Sequence, residues 1–272
     1  MHGTTESAAP RHAISFPPVE PETVRAEQWT FDLMEDGVRT SIRAHDYPEI
    51  FRRPGLYEQL FHERLRCASP RTARDALLSE LRDHGADIHA LRVLDLGAGN
   101  GMVGELLTAA RVVGLDISEA ARDACVRDRP HAYDAYYVAD MTDPGEDLLK
   151  QLDQWGLDAL VCVSALGFGD IPVAAFVNAY NVVADGAWVV FNVKETFVAD
   201  DDRTGFARLV SGIMGSGALR VHRMERYRHR YSIDGEPLFY YLFVGRKVHD
   251  LPLDPGWGGH TAGGAFPGRT LP

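Results

Sequence analysis

Three glycines stand on alternate positions in VLDLGAGNGMVGELL, at Gly97, Gly99 and Gly101, directly behind a short, mostly apolar run. On the turn from a strand into a helix, glycine permits positive φ and lets a ligand come close to the backbone. The dinucleotide pattern G-x-G-x-x-G needs glycine at position 102, where this chain has Met102. Asp95, just ahead of the first glycine, adds a carboxylate that repels a pyrophosphate and suits an ammonium or a sulfonium. The competing reading is a tight turn that binds nothing.

Two further acids sit at the ends of the next apolar runs. Asp116 closes RVVGLD, about 20 residues past the first glycine, where a carboxylate accepts hydrogen bonds from both hydroxyls of a ribose. It also precedes a helix cap at Ser118, so a purely structural role stays open. Asp140, in VADMTD, offers an acceptor to an adenine amino group and Met141 an apolar shelf; another acid at a helix start is the alternative.

These residues must be positioned by alternating strands and helices. Apolar runs at LRVLDLG, RVVGLD, AYYVAD, LDALVCVSAL and AWVVFNV alternate with helical stretches from Gly101, from Ser118, near 144–155 and near 171–183. That order predicts a parallel sheet covered on both faces. After a helix near 204–214 the alternation stops, and two strand-like runs, 219–232 and 237–247, flank Asp234-Gly235, a hairpin signal. Residues 23–85 read as an N-terminal helical cover, with Ser69 as N-cap and Pro70 as first helical residue of SPRTARDALLSELRDHG. Residues 86–248 form the expected core domain, and Pro/Gly-rich segments 1–22 and 249–272 are expected to be flexible tails.

Residues 93–104, Asp116 and the Ala-Asp-Met of 139–141 resemble successive motifs of class I S-adenosylmethionine-dependent methyltransferases. The stretches 133–143 and 163–172 also resemble the Williams–Beuren-region methyltransferase subfamily. The resemblance implies a Rossmann-like α/β three-layer sandwich. Its seven-stranded, mostly parallel sheet would end in an antiparallel hairpin, under an N-terminal helical lid. It implies S-adenosylmethionine as cofactor and S-adenosylhomocysteine as product. By the same resemblance, Asp95 and Gly97, Ala98, Gly99, Asn100 and Gly101 line the methionine moiety. Asp116 and Ile117 hold the ribose, Asp140 and Met141 the adenine, and Ser164 sits beside the transferring methyl.

Acceptor contacts are expected from the cover and from the loops after the fourth and fifth strands: Tyr57, Phe168 and Lys194. Tyr57, His62 and Glu195 are the catalytic candidates. His62 could equally be an exposed polar position on a helix, and Lys194 with Glu195 a surface ion pair. His222 and His229 fall on opposite faces of one strand, a poor metal pair, and read as structural; no metal is expected.

The net charge of −11 disfavours a nucleic-acid partner, whose phosphates call for basic surfaces, and the Arg-rich stretch 219–231 reads as a strand with a solvated face. No apolar run is long enough to cross a membrane. Cys67, Cys125 and Cys162 form no C-x-x-C pair, which points to a reducing, cytoplasmic setting. A small-molecule acceptor, a specialised metabolite, and a monomer or homodimer complete the expectation; a peptide or protein methyltransferase and a non-catalytic cofactor-binding protein of the same fold are the alternatives.

Overall fold

The structure, a computed structural model, describes residues 11–17, 29–166, 171–198 and 205–253. Seven strands form the main sheet: β4 (Arg92–Leu96), β5 (Arg111–Asp116), β6 (Ala135–Val138), β7 (Ala159–Leu166), β8 (Trp188–Lys194), β9 (Leu219–Tyr231) and β10 (Pro237–Lys247). Their order is β6-β5-β4-β7-β8-β10-β9. The first five are parallel, and β10 runs antiparallel to both β8 and β9. Strand order reverses between β4 and β7, so the carboxyl ends of these two strands flank the crevice where such sheets bind ligands.

The near-continuous apolar strands follow from burial on both faces. Along β4, Val93 packs with Ala73, Ala76, Leu77 and Leu81 of helix α2 (Ser69–Asp83), whereas Leu94 packs with Phe176 and Tyr180 of α5 (Val173–Val182) on the other side. Helices α3 (Glu119–Asp128), α4 (Glu146–Asp153) and α6 (Phe206–Ser216) complete the layers. Phe191 stacks on Phe243 at 4.8 Å, joining the antiparallel strand to the parallel part of the sheet.

Two expectations are corrected. The N-terminal segment is not wholly helical: β1 (Ala13–Ser15), β2 (Thr30–Glu35) and β3 (Val38–Arg43) form a separate antiparallel sheet. Residues Asp36 and Gly37 turn it with φ of 51° and 79°, the paired positive values of a two-residue hairpin turn. Phe31 and Leu33 face a core of their own with Ile50, Leu56 and Leu60, which belong to α1 (Tyr47–Phe51) and the π-helical segment Glu58–Arg64 or lie between them. Within the expected tail 1–22, β1 pairs with β2; residues 1–10, 18–22 and 254–272 of the two tails lie outside the described residues.

The helix expected from Gly101 is one 3-10 turn, Gly104–Leu106. Glycine at 101 and 104 weakens helix by about 1 kcal/mol each. Gly104 is needed for another reason: a Cβ there would lie 2.4 Å from the Tyr133 ring.

Gly101 holds φ +88°, and a Cβ would meet Cys125 Sγ at 2.8 Å and Ala132 at 3.2 Å. Gly101→Ala therefore destabilises the domain by about 1–3 kcal/mol in urea unfolding. Unchanged stability would show that α3 gives way freely.

Candidate functional site

A cleft of about 260 Å³ opens at the carboxyl ends of β4, β5, β6 and β7. Its floor and sides are largely apolar: Leu96, Leu115, Met141, Ala165 and Ile171, with Tyr47, Pro48, Phe51 and Tyr57 closing it from the N-terminal segment. Ile117 lies in its wall and is 67 % exposed, an apolar face left open to solvent.

Asp116 organises the polar side. One carboxylate oxygen accepts the Gly99 N–H and the other the Ser118 N–H, both at 2.9 Å. Tyr136 donates to the Gly99 carbonyl at 2.8 Å, so this glycine is held from both sides. Gly99 has φ +54°, and a Cβ would meet Phe51 at 3.6 Å and the Gly97 carbonyl at 3.9 Å, both ordinary contacts, and the residue lines the cleft. Gly97 is tighter: a Cβ would lie 2.8 Å from both Ala165 and Ile171. Asp140 also lines the cleft; its Oδ1 accepts the Thr142 N–H and hydroxyl, which holds its pKa below the usual range. Its Oδ2 has no hydrogen bond among the described residues.

Residues 94–191 match the sequence profile of a family described as a methyltransferase domain. This stretch of the chain is a methyltransferase domain. No curated protein matches it in sequence. Solved structures with a similar fold include the magnesium protoporphyrin IX methyltransferase of Synechocystis with bound S-adenosylmethionine, at 16 % identity and TM-score 0.44 over 65 % of this chain and 79 % of that one. They also include the N-methyltransferase NodS of Bradyrhizobium japonicum, at 15 % and 0.42 over 65 % and 86 %. A third is a proposed RNA methyltransferase of Pyrococcus horikoshii, at 17 % and 0.46 over 65 % and 82 %.

The cleft of the methyltransferase domain suits an adenosyl sulfonium: a carboxylate at the end of β5, an acid with one open oxygen after β6, apolar walls between them, and glycine backbone opposite. Of the residues expected there, Gly97, Gly99, Asp116, Ile117, Asp140, Met141 and Ser164 line it. Asp95, Ala98, Asn100 and Gly101 do not. Asp95 is 1 % exposed and accepts the Tyr133 hydroxyl at 2.7 Å beneath the loop. Asn100 turns inward to Glu58 at 2.7 Å, and Gly101 packs on α3.

Tyr57 lines the cleft, but His62, Lys194 and Glu195 do not. His62 lies along the π-helical segment near Glu58 and Arg129, where burial lowers its pKa. Lys194 sits over the Phe197 ring at 5.4 Å, and Glu195 is bound by Arg226 at 2.6 Å. Phe168 lies outside the described residues. Elsewhere, ligand-type atoms of Glu80, His84 and His222 come within 4.8 Å of one another. Arg223 engages Glu80 there at 2.9 Å, and the charges of Arg220 and Arg246 act on His222, which opposes a dication.

Ser164 holds the non-glycine φ of +62°, at a break in the β7–β8 register. A buried chain pins it. Its N–H donates to Asn192 Oδ1 at 2.7 Å, and Asn192 Nδ2 donates to the Tyr227 hydroxyl at 2.5 Å. Ser69 Oγ then meets Tyr227 and His229 Nδ1, each at 2.6 Å. Ser69 is thus not the N-cap, which is Ala68. A serine followed by proline signalled a helix start; nothing in the sequence signalled that the hydroxyl is spent on β9.

Burial pushes the Asp95 pKa up to about 7, reinforced by Asp116 and opposed by the Tyr133 hydrogen bond. A carboxyl whose folded pKa lies above its unfolded value near 4 contributes stability at low pH and loses it as pH rises through about 7. In cofactor-free protein, the stability of the wild type relative to Asp95→Asn should fall by a few kcal/mol between about pH 4 and pH 7, then stay level. Urea unfolding across that range tests this; a flat difference would mean Asp95 is charged throughout.

Proposed function

We propose that this methyltransferase domain acts on a small-molecule acceptor, a specialised metabolite, enclosed between the cleft and the N-terminal segment. The observation that carries this reading is the wall made by Tyr47, Pro48, Phe51 and Tyr57, an aromatic side of the cleft that suits a compact acceptor. The net charge of −11 agrees with it, since a polyanion would be repelled. Residues 86–248 are the methyltransferase core in this reading, and 23–85 the cover.

Asp116 would hold the ribose hydroxyls, with its carboxylate at the end of β5 beside the glycine loop. Asp140 Oδ2 takes the adenine amino group, with Ile117 and Met141 on the faces of the ring. The backbone of Gly97 and Gly99 adjoins the methionine portion, and Ser164 the methyl end. When bound, S-adenosylmethionine supplies a methyl group already activated as a sulfonium. The chain's remaining task is to align a nucleophile and keep water out, an effect worth roughly 7–11 kcal/mol.

Labelled S-adenosylmethionine, incubated with the protein and either a metabolite extract or a desalted protein lysate, tests the acceptor class. Label in the extract alone is expected. Label in protein would move the acceptor to peptides, and none in either would indicate binding without transfer. For the cofactor, Asp116→Ala should weaken S-adenosylhomocysteine about 10- to 100-fold by calorimetry, the value of a lost charged hydrogen bond. Asp116→Asn, which keeps an acceptor for a backbone N–H, controls for damage to the loop. Unchanged affinity in both variants would remove Asp116 from the ribose site.

A further inference from the structure

Beside the cleft lies a second cavity of about 20 Å³. It shares Tyr47, Tyr57 and Ser164 with the larger one, and its other walls include Phe61, His229 and Tyr240. Its volume holds about one water-sized group, so a polar atom fits where a ring does not. Aromatic rings crowd its approach: Tyr57 lies 4.9 Å from Phe61, and Tyr240 lies 4.0 Å from the His229 ring.

The proton positions in the buried chain follow from one obligatory donor. The Ser164 N–H can only donate, so Asn192 presents Oδ1 to it and Nδ2 to Tyr227. The Tyr227 oxygen therefore accepts, and its own proton goes to Ser69 Oγ. The Ser69 proton then goes to His229 Nδ1. Cys67, kept as a neutral thiol by burial, is a second potential donor to the same nitrogen at 3.8 Å. Burial and the nearby Arg230 and His62 charges hold the His229 pKa well below its ordinary value, so the ring is neutral. A neutral imidazole that accepts at Nδ1 carries its proton on Nε2. That atom makes no hydrogen bond among the described residues, and the ring lines the small cavity. Ser164 Oγ is likewise buried without a hydrogen-bond partner among them, with the Cys67 thiol beside it.

We propose that His229 is an acceptor-positioning residue: its Nε2–H donates to an oxygen of an aromatic or conjugated acceptor, seated in the small cavity while the ring lies among Tyr47, Tyr57 and Tyr240. The oxygen is a carbonyl, carboxylate or phenol group near the atom to be methylated; Ser164, Arg230, His45 and Cys67 are among the other polar side chains that line the cavity. His229 is not a base at this site, because its free nitrogen already bears a proton. This rests on the reading of the larger cleft as the cofactor site.

Acetophenone and α-methylstyrene, the same shape with a CH₂ in place of the oxygen, are suitable probes for protein saturated with S-adenosylhomocysteine. Wild type should bind acetophenone about five- to tenfold more tightly, the value of one hydrogen bond. The preference should vanish in His229→Phe and partly persist in His229→Gln, which keeps an N–H donor. Long-range ¹H–¹⁵N spectra of histidine-labelled protein should show His229 as the neutral Nε2–H tautomer. Equal or absent binding of the two probes by wild type, a preference that survives His229→Phe, or an Nδ1–H tautomer would each overturn the proposal. S-adenosylhomocysteine affinity, measured in every variant, separates the two readings: its absence in wild type is a failure of the cofactor site, and its retention in the variants shows that the cleft is intact.

Discussion

The Asp116 carboxylate is the constraint around which the site is built. By accepting the N–H groups of Gly99 and Ser118 it fixes the glycine loop to the end of β5 and starts α3 at the same point. The loop can hold its succession of positive φ values because its glycines have no side chains to place. The neighbours then close in on two of them. Gly97 is pressed by Ala165 and Ile171, and Gly101 by Cys125, so the space a side chain would need is filled by protein on those sides. Gly97 and Gly99 both line the cleft, and at Gly99 the space a side chain would need is left open by the packing. The alternating glycines thus serve packing at Gly97 and Gly101 and ligand approach at Gly97 and Gly99.

A second set of interactions holds the opposite bank. The αL conformation of Ser164 is an uncommon state for a residue with a side chain. It is held by a hydrogen-bonded chain that crosses β8 and β9 to the first residue of α2. Each link from the Ser164 N–H through Asn192, Tyr227 and Ser69 to His229 Nδ1 is made, and buried polar groups paired in this way rigidify a structure rather than weaken it.

The glycine turn, the acids at strand ends and the strand–helix alternation were legible because each depends on residues close together in sequence. The hairpin at Asp234-Gly235 was read for the same reason, and Asp36-Gly37 carried an equal signal, with Phe31 and Leu33 alternating before it. Charged residues on β3 and the helical pattern that follows masked it. The inward turn of Asp95 and Asn100 was not legible, because it depends on Tyr133 and Glu58 arriving from distant segments. The hydrogen bonds of His229 were hidden for a related reason: they depend on Ser69, Asn192 and Tyr227, three residues with no shared motif.

The two banks draw on different parts of the chain. The residues proposed to hold the cofactor come from the ends of β4, β5 and β6, whereas the polar chain behind Ser164 is contributed by α2, β8 and β9. Strand β9 is also the outermost strand of the sheet, and its last residues are stitched to the cover: Ala68 donates to the His229 carbonyl and Tyr231 to the Leu65 carbonyl, each at 2.8 Å. On the proposed reading, this division of labour makes substrate choice separately evolvable: the peripheral strand and the cover can drift together toward a new acceptor while the glycine loop stays as it is.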